Sequence, residues 1–162
     1  MARKVFFSFH YENDINRSMV VRNSWVTQGK ESAGFIDKAE FEKIKRQGKE
    51  AIYNWIDKQL EGTSATVVLI GAETLQREFV QYEIYKSWAR GNAIIGVYIH
   101  SIRDLISKQQ SRRGDIHTII GHNNMRPVYF DEVCCGIYDY VAEDGYNNMG
   151  IWIENAVGTR NK

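Results

Sequence analysis

Thr63-Ser64-Ala65-Thr66-Val67-Val68-Leu69-Ile70-Gly71 is an apolar, β-branched run that stops at a glycine. Shortly after it, Phe79-Val80-Gln81-Tyr82-Glu83-Ile84 sets a carboxylate among aromatic and aliphatic neighbours. A strand, a loop and a helix bearing one acid near the strand's carboxyl end is how open α/β sheets hold their ligands. The opening run Lys4-Val5-Phe6-Phe7-Ser8-Phe9-His10 reads as another strand. Ala93 to Ile99 is a further one, its unbroken apolar character suiting a strand covered on both faces.

The segments between these runs carry helical patterns. Asn13 or Asp14 can cap a helix to about Trp25, with Ile15, Met19 and Val20 on one face. Ala33 to Ile36 reads as a short strand, and Asp37 with Glu40 as a capping box. Phe41, Ile44, Ile52, Trp55 and Leu60 follow at helical spacing, with Gly48 a weak point that splits the helix and Gly62 its end. A helix from about Arg77 to Arg90 bears Val80, Ile84 and Trp88 as its apolar stripe, and Gly91-Asn92 stops it. Residues 101–124 are polar, with at most a short helix near Ile102 to Ile106. Pro127 to Phe130 reads as a fifth, edge strand, where proline is tolerated, and helices from about Gly136 and Asn147 follow. This alternation predicts an α/β fold over residues 1–162 as one domain. Its form is a flavodoxin-like three-layer sandwich around a mostly parallel five-stranded sheet in the order 2-1-3-4-5. In that order the loops after strands one and three flank the switch point, so a ligand meets Ser8–Asp14 and Gly71–Glu83 together.

Composition narrows the function. Hydrophobic residues at 43% and charged residues at 25% are ordinary globular values. Lys plus Arg, 21, against Asp plus Glu, 20, leaves a formal charge of +1, without the basic excess of a nucleic-acid binder. The two cysteines, Cys134 and Cys135, are adjacent and form no disulfide framework, which fits a reducing cytoplasm. The apolar opening is broken by Ser8, His10, Glu12 and Asp14, so it reads as a strand and not as a signal segment. No run approaches the roughly 18 apolar residues of a membrane span.

Several chemistries are excluded. There is no G-x-G-x-x-G after strand one, no G-x-x-x-x-G-K-[ST] and no G-x-S-x-G elbow. A phosphoacceptor receiver needs an acidic pair after strand one and an Asp ending strand three, where this chain has Ser8-Phe9-His10 and Ile70-Gly71. His117, His122, Cys134 and Cys135 do not have the spacing of a zinc knuckle, so no metal is expected. Lys108, Arg112 and Arg113 read as a solvated loop, and Tyr138, Tyr140, Tyr146 and Trp152 as packing for the last helices. His10 fits two roles equally, a ligand contact or a helix cap. Glu83 is the serious candidate. Its bland reading is an exposed carboxylate near Lys86, worth a few tenths of a kcal/mol, at most about 0.5. Beside Tyr82 and Phe79, however, burial raises its cost unless it has a partner. One carboxylate suffices for displacement at an anomeric carbon when the leaving group is cationic. Nicotinamide departs from NAD⁺ neutral and needs no acid, unlike the leaving oxygen of an ordinary glycoside.

Val5-Phe6-Phe7-Ser8-Phe9-His10-Tyr11 resembles the first-strand box of the TIR superfamily. Glu78-Phe79-Val80-Gln81-Tyr82-Glu83-Ile84 resembles its Ser-x-Trp-Cys-x-x-Glu pattern, with Phe79 for Trp and Val80 for Cys. The chain is more closely similar to the TIR-like proteins of the bacterial Thoeris antiphage defence system. The segments that carry this likeness are residues 21–27, 66–71, 91–96 and 141–147, while residues 101–130 correspond least. The resemblance implies a TIR-like fold and a cytoplasmic enzyme, an NAD⁺ glycohydrolase or ADP-ribosyl cyclase. Such an enzyme senses phage infection, consumes NAD⁺ as substrate without a cofactor, and releases a cyclic ADP-ribose-type signal that activates a separate effector. It implies Glu83 as the catalytic residue and Ser8, Phe9, His10 and Asp37 as substrate-binding. A phage-derived activator and a homo-oligomer stay open, and neither a nucleic acid nor a membrane is expected as a partner. Two alternatives also stay open: a non-enzymatic TIR scaffold, and an enzyme like the nucleoside deoxyribosyltransferases.

Overall fold

The computed structural model describes residues 4–28, 30, 32–35, 38–104 and 106–160. In chain order they form β1 (Val5–Ser8), α1 (Tyr11–Thr27), β2 (Ser32–Ala33), α2 (Lys38–Arg46), α3 (Lys49–Leu60) and β3 (Ala65–Ile70). A 3-10 turn (Thr74–Gln76), α4 (Glu78–Ala89), β4 (Ala93–Tyr98) and the pair β5 (Ile119–Asn123) and β6 (Arg126–Tyr129) come next. The chain continues through α5 (Phe130–Val133), β7 (Gly136–Asp139) and α6 (Gly145–Arg160).

The three apolar runs β1, β3 and β4 are buried along their whole length. They pair in parallel, with Phe7 opposite Val67, Ser8 opposite Val68 and Ile70 opposite Tyr98. Because strand side chains alternate, each run feeds two cores. Val5, Phe7, Phe9, Val67 and Leu69 face α1 and α6, where Trp25, Met149 and Ile153 meet them. On the other face Val68, Ile70 and Ile94 meet Val80 and Ile84 of α4, and Phe6 meets Ile52, Ile56 and Leu60 of α3. Each of these large apolar side chains gains about 1.5–3 kcal/mol by burial, so the sheet holds two layers of helices. The sandwich read from the sequence is the one observed.

Gly48, at φ 100°, separates α2 from α3 where the sequence placed a weak point. β2 is shorter than Ala33–Ile36; Ile36, Asp37 and the expected capping box on Asp37 lie outside the described residues. The five-stranded sheet has the order β2-β1-β3-β4-β7, every pair parallel. Its last strand is therefore not Pro127–Phe130. Arg126–Tyr129 pairs antiparallel with β5 in a separate hairpin, and Asn124 and Met125, at φ 52° and 66°, make its turn. The helix expected from Gly136 is instead β7, which pairs with β4 through Ile95 and Gly136. Tyr138 then stacks on Trp152 at 4.3 Å, fastening that edge to α6.

The buried face of α1 also differs from expectation. Asp14, Arg17, Ser18, Val21 and Trp25 are its buried residues, while Ile15 and Val20 of the expected stripe pack partly buried against the same core. The reason is an ion pair. Arg17 reaches Asp14 Oδ1 at 3.0 Å and donates to the carbonyls of Ile102 and Gln109 at 2.8 and 2.9 Å. The polar segment after β4 is thereby tied to α1 by its backbone. Asp14 also explains why β3 ends in glycine, since a Cβ on Gly71 would collide with its carboxylate.

Candidate functional site

α4 places Glu83 in the middle of its buried stripe, with Val80, Ile84 and Ser87 as the other inward residues. The helix cannot turn Glu83 outward without exposing Val80 and Ile84. A column of hydrogen bonds holds the same register: Thr66 Oγ1 donates to Ser87 Oγ at 2.7 Å, and Ser87 Oγ donates back to the Glu83 carbonyl at 2.6 Å. The Glu83 side chain is only 7% exposed. Ser8 Oγ, on the α4-facing side of β1, donates to Glu83 Oε1 at 2.8 Å.

Burial dominates the electrostatics here. It pushes the Glu83 carboxyl up to about 8, and the Ser8 hydrogen bond opposes that only in part. Among the described residues no cation contributes to this balance. Burial therefore favours the protonated form of the group at neutral pH, and a cationic ligand beside it would draw the proton off.

Glu83 opens into a cleft at the carboxyl end of β1, enclosing about 600 Å³ of space that includes solvent at its mouth. Phe9, Tyr11, Phe41, Trp55, Phe79 and Arg77 are among the residues that line it. Tyr11 stacks on Phe41 at 4.2 Å and Phe9 on Phe35 at 4.8 Å, so α1, β1 and α2 build one aromatic wall. Gly34 forms part of the lining. At φ 90°, with the Phe7 carbonyl where a Cβ would sit, no other residue fits there.

The four residues named with Glu83 from the sequence fare differently. Ser8 is its hydrogen-bond partner, and Phe9 lines the cleft. Phe9 shares the α1 and α6 face of the sheet with Phe7, yet both line the cleft, which lies at the end of β1. His10 is not among the lining residues; its Nδ1 accepts the Asn13 amide at 3.1 Å and caps α1. Burial, then Arg77, holds its imidazole below the usual histidine range. Asp37 lies outside the described residues. Tyr11, Phe41, Trp55 and Arg77 were not singled out from the sequence. Their common signal was weak: aromatic residues in the first turns of α1 and α2 (Tyr11, Phe41) and within α3 (Trp55), and a cation immediately before the helix that carries Glu83.

Away from the cleft, His117 pairs with Asp131 at 2.9 Å and stacks on Tyr129, and burial pushes the Cys134 thiol up to about 11. Among the described residues no three His, Cys, Asp or Glu side chains converge as a metal-ligand set. No described helix is long and apolar enough to cross a membrane.

The family model described as Thoeris protein ThsB, TIR-like domain, matches residues 6–104, a span that holds β1, β3, α4 and the whole described cleft lining. The chain belongs to the ThsB TIR-like family. A relative from Bacillus cereus (strain MSX-D12), named "Putative cyclic ADP-D-ribose synthase ThsB1", is 32% identical over 191 aligned positions. That alignment covers 94% of this chain and 100% of the relative. Among solved structures, the Clostridium botulinum CMP N-glycosidase BcmB superposes with a TM-score of 0.45 at 14% identity. It covers 93% of this chain and 99% of its own, a likeness too loose to bear on chemistry. In this ThsB-family chain Phe79 and Val80, which depart from the Trp and Cys of the wider TIR pattern, both line the cleft beside Glu83.

Proposed function

We propose that this ThsB-family protein cleaves NAD⁺ at the nicotinamide–ribose bond and releases a cyclic ADP-ribose-type signal, with Glu83 as the catalytic carboxylate. The observation that carries this is the position of Glu83: buried, hydrogen-bonded by Ser8 and, among the described residues, without a cation, in an aromatic cleft. A structural acid in such a place would be expected to have a basic partner. An acid left without one is suited to a positive charge that arrives with the substrate. The B. cereus relative's name points to the same product class.

The reaction needs little from the protein. The C1′–N bond breaks, its electron pair passes to the ring nitrogen, and neutral nicotinamide leaves. The ribosyl cation is stabilised by the Glu83 carboxylate, which the cationic substrate has ionised by drawing its pKa down from about 8. Ser8 fixes the carboxyl rotamer, and the aromatic wall limits water. Attack by a nucleophile of the same molecule closes a ring; attack by water gives ADP-ribose and one proton. Neither Mg²⁺ nor Zn²⁺ takes part in this scheme. The signal then acts on a separate effector, and a phage component triggers production.

The test is to incubate the purified protein with NAD⁺, with and without extract of phage-infected cells, and to follow nicotinamide and ADP-ribose isomers by mass spectrometry. Nicotinamide release with a cyclic product supports the reading, and so does activity that persists in EDTA. No release under either condition overturns it.

A further inference from the structure

Glu83 accounts for the ribosyl end of a dinucleotide and leaves its phosphates without a partner. A pyrophosphate carries two negative charges, and a carboxylate in the same cleft repels them. Among the described residues lining the cleft, Glu83 and Arg77 are the charged ones. Arg77 is the N-cap residue of α4, in extended conformation at φ −79° and ψ 129°, and its side chain makes no capping hydrogen bond. Arg77 directly precedes the first amides of that twelve-residue helix, which favour an anion as its guanidinium does. Arg77 is held only loosely. Its ion pair with Glu12 Oε1 spans 3.5 Å between side chains 36% and 48% exposed, and Lys45 Nζ competes for the same oxygen at 3.3 Å. A solvated contact of this kind is weak, whereas a phosphate takes a guanidinium in the two-pronged geometry that makes the strongest hydrogen bonds.

We propose that Arg77 is the pyrophosphate-binding residue of the cleft. It exchanges Glu12 for the pyrophosphate of an NAD-type dinucleotide and thereby selects a phosphate-bearing substrate over the bare nucleoside. This rests on the reading of Glu83 as the carboxylate that faces the ribose. Its distinct content is that substrate choice is set at the N-terminus of the helix that carries Glu83, and that Glu12 acts against binding.

Two variants test it. ADP-ribose binding is measured by calorimetry, and kcat/KM is compared for NAD⁺ and nicotinamide riboside. Arg77→Gln should weaken ADP-ribose binding and lower the NAD⁺-to-riboside ratio by about 10–100-fold, the size of a charge-assisted pair. Glu12→Gln, which frees the guanidinium, should tighten ADP-ribose by about two- to five-fold, in keeping with a weak surface pair. General damage to the fold would not produce that opposite sign. ADP-ribose affinity unchanged in Arg77→Gln, with nicotinamide release intact in the wild type, overturns the phosphate site and leaves the Glu83 reading standing. Arg77-dependent ADP-ribose binding without any NAD⁺ cleavage does the reverse. A wild-type protein that binds no ADP-ribose overturns the phosphate site, and the Glu83 reading then stands or falls with nicotinamide release alone.

Discussion

Two carboxylates are buried near the carboxyl ends of the central strands, and they are built for opposite ends. Asp14 is 2% exposed and meets Arg17 at 3.0 Å, and that arginine holds two backbone carbonyls of the segment after β4. Glu83 is 7% exposed and its carboxylate, among the described residues, meets a serine hydroxyl alone as hydrogen-bond partner, at the edge of a cleft. Burial raises both carboxyls from their usual range, but at Asp14 the arginine pulls in the opposite sense, and at Glu83 no cation does. A buried acid with its own cation fastens one segment to another. A buried acid without one suits the cationic substrate proposed for the cleft.

The widest test of that contrast is to take the cation from Asp14. Arg17→Met should destabilise the protein by about 3–5 kcal/mol, because it strands a charge and two carbonyls in the interior. Urea unfolding checks this, and Asp14→Asn in the same chain should recover part of the loss. A cost under about 1 kcal/mol, the range of a surface pair, would mean that Asp14 is no better anchored than Glu83.

Glu83→Gln should behave in the opposite way. The fold should persist while nicotinamide release falls by about 10²–10³, the usual loss on removing one stabilising contact to a developing charge. A folded Glu83→Gln protein with wild-type turnover would remove Glu83 from the chemistry.

The pH dependence separates the two sites by sign. Glu83 has its folded pKa raised from 4.5 to about 8, so the folded state binds the extra proton. The stability this confers is fully present below pH 4.5 and is lost as pH rises towards 8. Between pH 6 and 8 the wild type should lose about 2 kcal/mol that the Glu83→Gln protein keeps. Over the same range kcat/KM for NAD⁺ should rise as the free carboxylate forms, and the limb in kcat should lie at lower pH, since bound substrate is cationic. Parallel stability curves for the two proteins would contradict a raised Glu83.

Ser8→Ala is the finest probe. Its hydroxyl lowers the Glu83 pKa, so its loss should move the kcat/KM limb to higher pH. The cost in stability should be about 1 kcal/mol, that of one hydrogen bond. An unmoved limb would show that the hydroxyl only packs.

Much of this was legible in the chain, and the failures have a common cause. β1, β3 and β4 are read correctly because a parallel strand buried on both faces needs an unbroken apolar run. Gly48 splits its helix because glycine, without a Cβ, takes up the non-helical φ of 100° that other residues resist. From Ile119 onward the strands are short and half-exposed, and an edge strand such as β7 carries no such run. Gly136-Ile137-Tyr138-Asp139 could have continued as a helix as easily as a strand. Only the free edge of β4 decides between them.

The amino-acid sequence by itself determined the sheet's centre, the helix that follows β3, and Glu83 as the acid on that helix, since all three follow from periodicity and local propensity. Tertiary structure alone decided that α1 turns Asp14 and Arg17 inward, that His10 is a cap, that Phe9 and Arg77 reach the Glu83 cleft, and that β7 closes the sheet. Those outcomes depend on what stands opposite each side chain across the layers. Pairing of that kind acts between residues far apart along the chain, where no local pattern records it.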